Sequence, residues 1–262
     1  MAGAGIAAAP VLAEQAGNAR EMDDLVVTAT RLATPRGELA SSVTVITAEE
    51  IQRRQYRSVP HALRSVPGLH VVQTGGPGQQ TSVFMRGANS NHTLVLIDGV
   101  EASDPSSPAG AVDFSNLWLD NVERIEIVRG PQSTLYGSDA IGGVIHITTR
   151  RGEGELGGTG KLEGGSDHTF NQQASAGGST DRVNYSLGVT HIDTDGDSVT
   201  PARLRNGVSA EDDNYANWTT SARLGIALSD TLDVNLFGRD IDSETDLDPE
   251  LLDPAFGSGM TE

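Results

Sequence analysis

The chain has 262 residues, and its 36 acidic and 18 basic side chains give it a formal net charge of −18. A chain this acidic lacks the basic face that contacts phosphates, which excludes nucleic acid as a partner. It has no cysteine, which excludes disulfides and thiolate metal sites within it. Its 31 glycines and 4% aromatic residues suit a turn-rich β protein, and its length allows one large or two ordinary domains.

The first residues are small and apolar and are typical of the end of a secretory signal peptide, with cleavage after Ala13. The basic segment that normally precedes such a core is missing, so we expect the true start of the precursor to lie upstream. A disordered alanine-rich terminus is the alternative. We therefore predict an exported protein whose residues 1–20 are a signal-peptide remnant and a flexible N terminus.

A short β-prone patch, residues 24–29, follows between polar segments. On its own it fits an ordinary edge strand. It also fits an exposed peptide that adds as a strand to the sheet of a partner, with backbone hydrogen bonds giving affinity and the side chains of Leu25 and Val27 giving specificity. The residues alone leave both interpretations open.

The next hundred residues predict mixed α and β structure. Ser42–Thr47 is a β-branched strand, and Thr47 with Glu50 forms a capping box that starts a short helix. Ser58 starts a second helix, which runs through Val66 and ends at Pro67-Gly68. Further strands are predicted for residues 69–73, 81–86 and 93–97, and an irregular loop for residues 101–112.

Residues 121–150 predict two strands joined by a glycine-rich elbow. Val122, Ile125 and Ile127 alternate with charged residues, which indicates a half-buried strand. The pattern breaks at Gly130-Pro131 and resumes as a β-branched run from residue 144 to 149. This unit closes the first domain.

After Arg150 the helical patterns stop and long alternating segments begin. Strands are predicted for residues 155–165, 169–178, 182–194, 214–228 and 231–245. Strands of about ten residues, with short and long connections between them, are typical of a membrane β-barrel. A soluble β-sandwich is the alternative. Five strands are too few to close a wide barrel, so we expect the chain to lack the remaining strands.

Acidic residues crowd the loops between these strands, at residues 195–197, 211–214 and 246–253. Neighbouring strands lie about 5 Å apart, so loops at one end of a barrel can converge. Hard oxygen ligands in a flexible cluster select Ca²⁺. The order of an EF-hand is missing, so such a site would be assembled from separate loops. A solvated acidic surface is the alternative.

Motifs of common enzymes are missing from the chain. The six histidines are scattered without zinc spacing, no G-x-S-x-G is present, and Gly160-Lys161 is followed by Leu162, which breaks a nucleotide-binding pattern. We therefore predict no enzymatic activity.

Four strings together resemble TonB-dependent outer-membrane receptors, and most closely their cobalamin receptors. They are DDLVVTATR (23–31), VFMRG (83–87), LVLIDG (94–99) and RGPQSTLYGSDAIGGVIHITTR (129–150). The resemblance implies a mixed α+β plug domain followed by the first strands of an antiparallel transmembrane β-barrel, truncated in this chain. Residues 21–150 would be the TonB box and plug, and residues 151–262 about five barrel strands with extracellular loops. The protein would lie in the bacterial outer membrane, in contact with its lipid.

The resemblance also implies TonB-dependent active transport of a corrinoid such as cobalamin. The TonB box, which would pair with periplasmic TonB by strand addition, would be Asp24, Leu25, Val26, Val27, Thr28 and Ala29. The ligand would contact Gln80, Thr81, Ser82, Asn89, Ser107 and Pro108. The Ca²⁺ ligands would be Asp197, Ser209, Glu211, Asp213, Asp246 and Asp253.

Two other functions stay open from the sequence. Within the same transport class, the ligand would be a ferric siderophore instead of a corrinoid. In a different class, the chain would be a soluble periplasmic binding module without a membrane span.

Overall fold

The computed structural model describes most of the chain between residues 25 and 246. The described residues are 25–26, 34–39, 41–104, 107, 110–119, 121–196, 213–229 and 231–246. Within them, no helix is long and apolar enough to span a membrane.

The described helices and strands fall into two groups, one on each side of residue 150. The first group is β1 (Leu25–Val26), β2 (Thr34–Pro35), β3 (Ser42–Thr47), α1 (Ala48–Arg54), α2 (Val59–Leu63), β4 (Leu69–Gln73), β5 (Thr81–Met85), β6 (Thr93–Ile97), β7 (Val100–Ala102), β8 (Val122–Arg129), α3 (Ser133–Tyr136) and β9 (Gly143–Thr149). The second group is β10 (Gly157–Gly164), β11 (Phe170–Ser179), β12 (Val183–Thr194), β13 (Tyr215–Ser229) and β14 (Leu232–Thr245).

The first group is built on a mixed sheet with the strand order β3-β8-β9-β6-β7. Strands β6 and β9 run parallel, and the other neighbours are antiparallel. Strands β4 and β5 form a separate hairpin. The α1 and α2 helices cover one face of the sheet, where Ile51 and Leu63 pack into a core with Val83, Ile125 and Ile145. Each such buried side chain contributes about 1.5–3 kcal/mol.

Both predicted helix starts are confirmed. The Thr47 hydroxyl accepts a hydrogen bond from the Glu50 backbone N–H at 3.3 Å, as an N-cap does. The Glu50 carboxylate lies 2.9 Å from Arg54 Nε, one turn along α1. Ser58 caps α2 through the His61 N–H. The second helix is shorter than predicted, since its regular turns end at Leu63.

The elbow between β8 and β9 is more structured than the predicted turn. It contains α3 and a 3₁₀ turn at residues 138–140. It ends at Gly143, whose φ is +151° and where a Cβ would overlap the Val128 carbonyl oxygen and the Met85 sulfur. The two strands on either side are confirmed. The strand β7 was not predicted and occupies the start of the predicted loop 101–112.

The second group is a five-stranded antiparallel meander in chain order, β10 to β14. All five predicted strands are confirmed, with bounds that differ by two residues at most. Alternate residues of β12 face opposite ways: Ser186 and Thr190 are buried, while Leu187 and Val189 are exposed. A soluble sandwich buries its apolar face, whereas a membrane barrel turns that face outward. This arrangement argues against the soluble alternative.

Candidate functional site

The predicted TonB box begins as a two-residue strand in the first group of elements, β1 to β9, which corresponds to the predicted plug and is called the plug below. Leu25 pairs with Pro35 and Val26 with Thr34, antiparallel, in β1 and β2. The Val26 side chain is fully buried in a small cluster with Val43 and Val128. The other residues of this prediction, Asp24, Val27, Thr28 and Ala29, lie outside the described residues. The described part of the box is therefore docked on the plug by a very short pairing.

The predicted ligand contacts are spread along β5. Gln80 is exposed just before the strand and Ser82 is half-buried, on the opposite face from the buried Thr81. Thr81 is already satisfied inside the plug, since its backbone N–H donates to Asp113 at 2.9 Å and its hydroxyl donates to the Gln79 carbonyl at 2.9 Å.

The remaining predicted contacts lie on loops. Asn89 is exposed beyond the far end of β5, and its side chain makes no capping hydrogen bond. Strand β5 lies between Gln80 and the turn that leads to Asn89, and its five residues span roughly 17 Å at about 3.3 Å per residue. Ser107 is half-buried in the loop after β7, and Pro108 lies outside the described residues. A ligand that contacts both Gln80 and Asn89 would have to extend along β5.

Tyr215, at the start of β13, joins the plug to the second group of elements, β10 to β14, which we call the wall. Its hydroxyl donates to Asn116 Oδ1 at 2.7 Å and accepts from Trp118 Nε1 at 3.3 Å. Its ring covers Gly78, where φ is +76° and a Cβ would overlap the ring and Thr245 Oγ1. The glycine-rich loop before Gln80 is thereby seated against β13 and β14. Sequence reasoning missed Tyr215, because its contacts are about a hundred residues away along the chain.

Two of the predicted Ca²⁺ ligands lie among the described residues. Asp213 is buried and approaches Gly76 of the plug. Asp246 Oδ2 accepts a hydrogen bond from the Asn214 side chain at 2.9 Å, beside a cleft of about 310 Å³ that Asp193 and Glu244 also line. These are hard oxygen donors of the kind that suit Ca²⁺.

The other predicted Ca²⁺ ligands, Asp197, Ser209, Glu211 and Asp253, lie outside the described residues. Within the described part of the chain, no three acidic or histidine side chains come together closely enough to hold a metal. The structure therefore places two predicted ligands at the same end of neighbouring strands, and the Ca²⁺ site stays a prediction.

A buried ion pair also holds the plug to β13, further along that strand than Tyr215. Arg223 Nη1 lies 2.7 Å from Asp98 Oδ1, and their side chains are 7% and 3% exposed. Asp98 also accepts the Thr149 backbone N–H at 3.0 Å and its hydroxyl at 2.6 Å, while Arg223 donates to the Thr149 carbonyl at 3.1 Å. Next to this pair, Asn121 Nδ2 donates to Ser221 Oγ at 2.9 Å. We call these five residues the anchor.

The partly buried His146 lies near the anchor. Burial lowers the pKa of His146 below its ordinary value, and the nearby carboxylates of Glu126 and Asp98 oppose this shift. Because burial is the larger effect, His146 is neutral at pH 7. Arg223 is therefore the cation that balances Asp98.

Comparison with known proteins identifies the first group of elements. A family model described as the TonB-dependent Receptor Plug Domain matches residues 35–144. The vitamin B12 transporter BtuB of Photobacterium profundum is 37% identical over 226 residues, which are 86% of this chain and 36% of that protein. The corresponding Vibrio vulnificus transporter is 42% identical over 170 residues, 65% of this chain and 27% of that protein. The chain thus spans about a third of the length of these relatives.

Solved structures share the fold at lower identity. The ferripyoverdine receptor of the Pseudomonas aeruginosa outer membrane superposes with a TM-score of 0.68 at 18% identity, over 84% of this chain and 27% of that one. The ferric yersiniabactin uptake receptor FyuA of Yersinia pestis gives 0.62 at 22% identity, over 78% and 32%. At these identities the likeness to both structures shows a shared fold.

Proposed function

Since the chain belongs to the TonB-dependent receptors, a family of outer-membrane proteins, we propose that it supplies the plug and first wall strands of an active transporter for a corrinoid such as cobalamin. The observation that carries the choice of ligand is the identity of 37% and 42% to vitamin B12 transporters. The siderophore receptors cited above are 18% and 22% identical, a level that supports a common fold and leaves the ligand open.

In this proposal the ligand binds above β5, between the plug and the loops of the wall. Gln80, Ser82 and Asn89 offer amide and hydroxyl groups that suit the peripheral amides of a corrin ring. Thr81, on the buried face of β5, positions these groups through its hydrogen bonds to Asp113 and Gln79.

Energy for transport would come from TonB, which pairs with residues 24–29 after ligand binding. The short β1–β2 pairing supports this role, because few backbone hydrogen bonds and one small apolar cluster hold the described part of the box. Strand addition to a partner sheet would replace those bonds with new ones. The box can therefore exchange a weak internal partner for an external one.

The outer face of the wall supports contact with lipid. One row of register partners runs from Leu162 on β10 through Gln172, His191 and Trp218 to Asp242 on β14. Leu162 and Trp218 are the apolar members of this row and the other three are polar or charged, as expected for a row near the edge of the apolar band. Trp218 lies near that edge, where membrane barrels place aromatic residues.

Uptake of labelled cobalamin tests the proposed function. In cells that lack their own cobalamin receptor, we expect the natural full-length protein to restore TonB-dependent uptake of tritiated cobalamin. The iron-55 complexes of pyoverdine and yersiniabactin should not be taken up. The matched control is the same strain without TonB. Siderophore uptake without cobalamin uptake would overturn the choice of a corrinoid.

Calcium is expected to strengthen ligand binding by ordering the acidic loops. We expect Ca²⁺ to raise the cobalamin affinity roughly tenfold, which corresponds to about 1.4 kcal/mol of coupling free energy. Replacing Asp213 by Asn, and Asp246 by Asn in a second variant, should remove this effect of Ca²⁺. Calorimetry on the purified full-length protein with Ca²⁺ or with a chelator measures this. Asp233 lies on β14 at the end opposite to Asp246, which directly follows that strand, so Asp233→Asn is the control. Equal calcium dependence in all variants would remove the Ca²⁺ site.

A further inference from the structure

We infer that the plug stays attached to β12 and β13 and separates from β10 and β11, so that the ligand passes through the cleft between α1 and those two strands. This inference rests on the proposed transport function. It follows from a difference between the two sides of the plug.

The attached side is the anchor. The charges of Asp98 and Arg223 are buried, and both Asp98 oxygens and the Thr149 carbonyl accept hydrogen bonds, while Arg223 Nε has no hydrogen-bond partner. Gly188 of β12 leaves room for it, because a Cβ there would come within 2.9 Å of Ser221 Oγ and 3.4 Å of the Asn121 side chain. Removing one partner would leave a buried charge without compensation, which resists separation.

The separating side is a water-accessible cleft of about 370 Å³ between α1 and the inner face of β10 and β11. Its lining includes Gln52, Gln55, Arg57, Lys161, Gln173 and Ser175. Arg57 Nε of the plug lies 3.8 Å from Glu163 Oε1 of β10, and the two side chains are 56% and 22% exposed. An exposed pair at this distance contributes little and is screened by salt.

The chemistry of the cleft suits the proposed ligand. Arg57, Arg150 and Lys161 bring three cations together, and the single carboxylate of Glu163 pairs with two of them, with Lys161 Nζ at 2.8 Å and Arg57 Nε at 3.8 Å. The buried Nε of Arg150 has no hydrogen-bond partner. Together with three glutamine amides, these groups offer N–H donors to the carbonyl and phosphate oxygens of a corrinoid. A corrinoid exceeds a drug-sized ligand, for which cavities of about 300–1,000 Å³ are typical, so α1 must move away from the wall for it to pass.

Cross-linking of introduced cysteines in the full-length receptor tests the route, since this chain has no cysteine of its own. Gln55→Cys with Ser175→Cys, joined by a bismaleimide, ties α1 to β11 across the cleft. Asn121→Cys with Ser221→Cys, oxidised to a disulfide, ties the anchor side. Tritiated cobalamin binding to outer membranes and uptake into cells are measured before and after linking.

Linking across the cleft is expected to lower the uptake rate at least tenfold with unchanged cobalamin binding, while the anchor disulfide leaves uptake near that of the reduced protein. Ser175→Trp, which fills the cleft without a link, should lower uptake in the same way and covers the case in which the cysteine pair does not fold. Uptake that persists in both cleft variants, or that stops with the anchor disulfide, overturns the inference. Absence of uptake in the unlinked parent would instead refute the proposed function.

Discussion

Replacing Leu25 by Pro is expected to abolish cobalamin uptake and to leave cobalamin binding unchanged. Proline lacks the backbone N–H and fixes φ, so it removes a hydrogen bond from any strand that forms at this position. Because main-chain bonds provide the affinity of strand addition, we expect uptake to fall by roughly 100-fold. Uptake of tritiated cobalamin by cells and binding to isolated outer membranes separate the two effects.

The matched control for this prediction is Leu25→Ala, which keeps the N–H and removes most of the side chain. We expect it to retain a substantial part of the uptake, because the backbone bonds to TonB persist. The plug should tolerate both variants, since β1 and β2 pair over two residues only. Uptake in the Pro variant at the level of the Ala variant would show that this segment is not a TonB box.

Local patterns in the sequence determined most of the strands. Period-two alternation placed β10 to β14 within two residues, because each strand has one face toward the plug and one face away from it. Side-chain capping by Thr47 and Ser58 placed both helix starts. These features depend on neighbours within a few residues, which is the range that a single sequence displays.

Contacts between the plug and the wall were beyond that range. Arg223 is 125 residues from Asp98, and Tyr215 is 99 residues from Asn116. Within their strands, both look like ordinary members of an alternating pattern. Similarly, the predicted role of Thr81 depended on its position in a motif, whereas the Asp113 carboxylate that accepts its backbone N–H lies 32 residues away. Long-range pairing of polar groups needs the fold.

Replacing Arg223 by Met is expected to destabilise the attachment of the plug by about 3–5 kcal/mol, because it leaves the Asp98 carboxylate buried without a counter-charge. The loss should appear locally as faster hydrogen exchange at the Thr149 amide, which donates to Asp98. Exchange measured by mass spectrometry on the full-length receptor, together with its thermal unfolding midpoint, checks both effects.

The matched control is Arg57→Met at the contact between the plug and β10. That side chain is 56% exposed and its ion pair spans 3.8 Å, so its removal should change stability by no more than about 1 kcal/mol. Adding Asp98→Asn to Arg223→Met should recover part of the loss, because a neutral amide at position 98 costs less to bury than a carboxylate. Equal stability of the Arg223→Met and Arg57→Met variants would contradict the assignment of the anchor. A lower stability of Arg223→Met, partly recovered when Asp98→Asn is added, would show that Asp98 and Arg223 hold the plug to the wall.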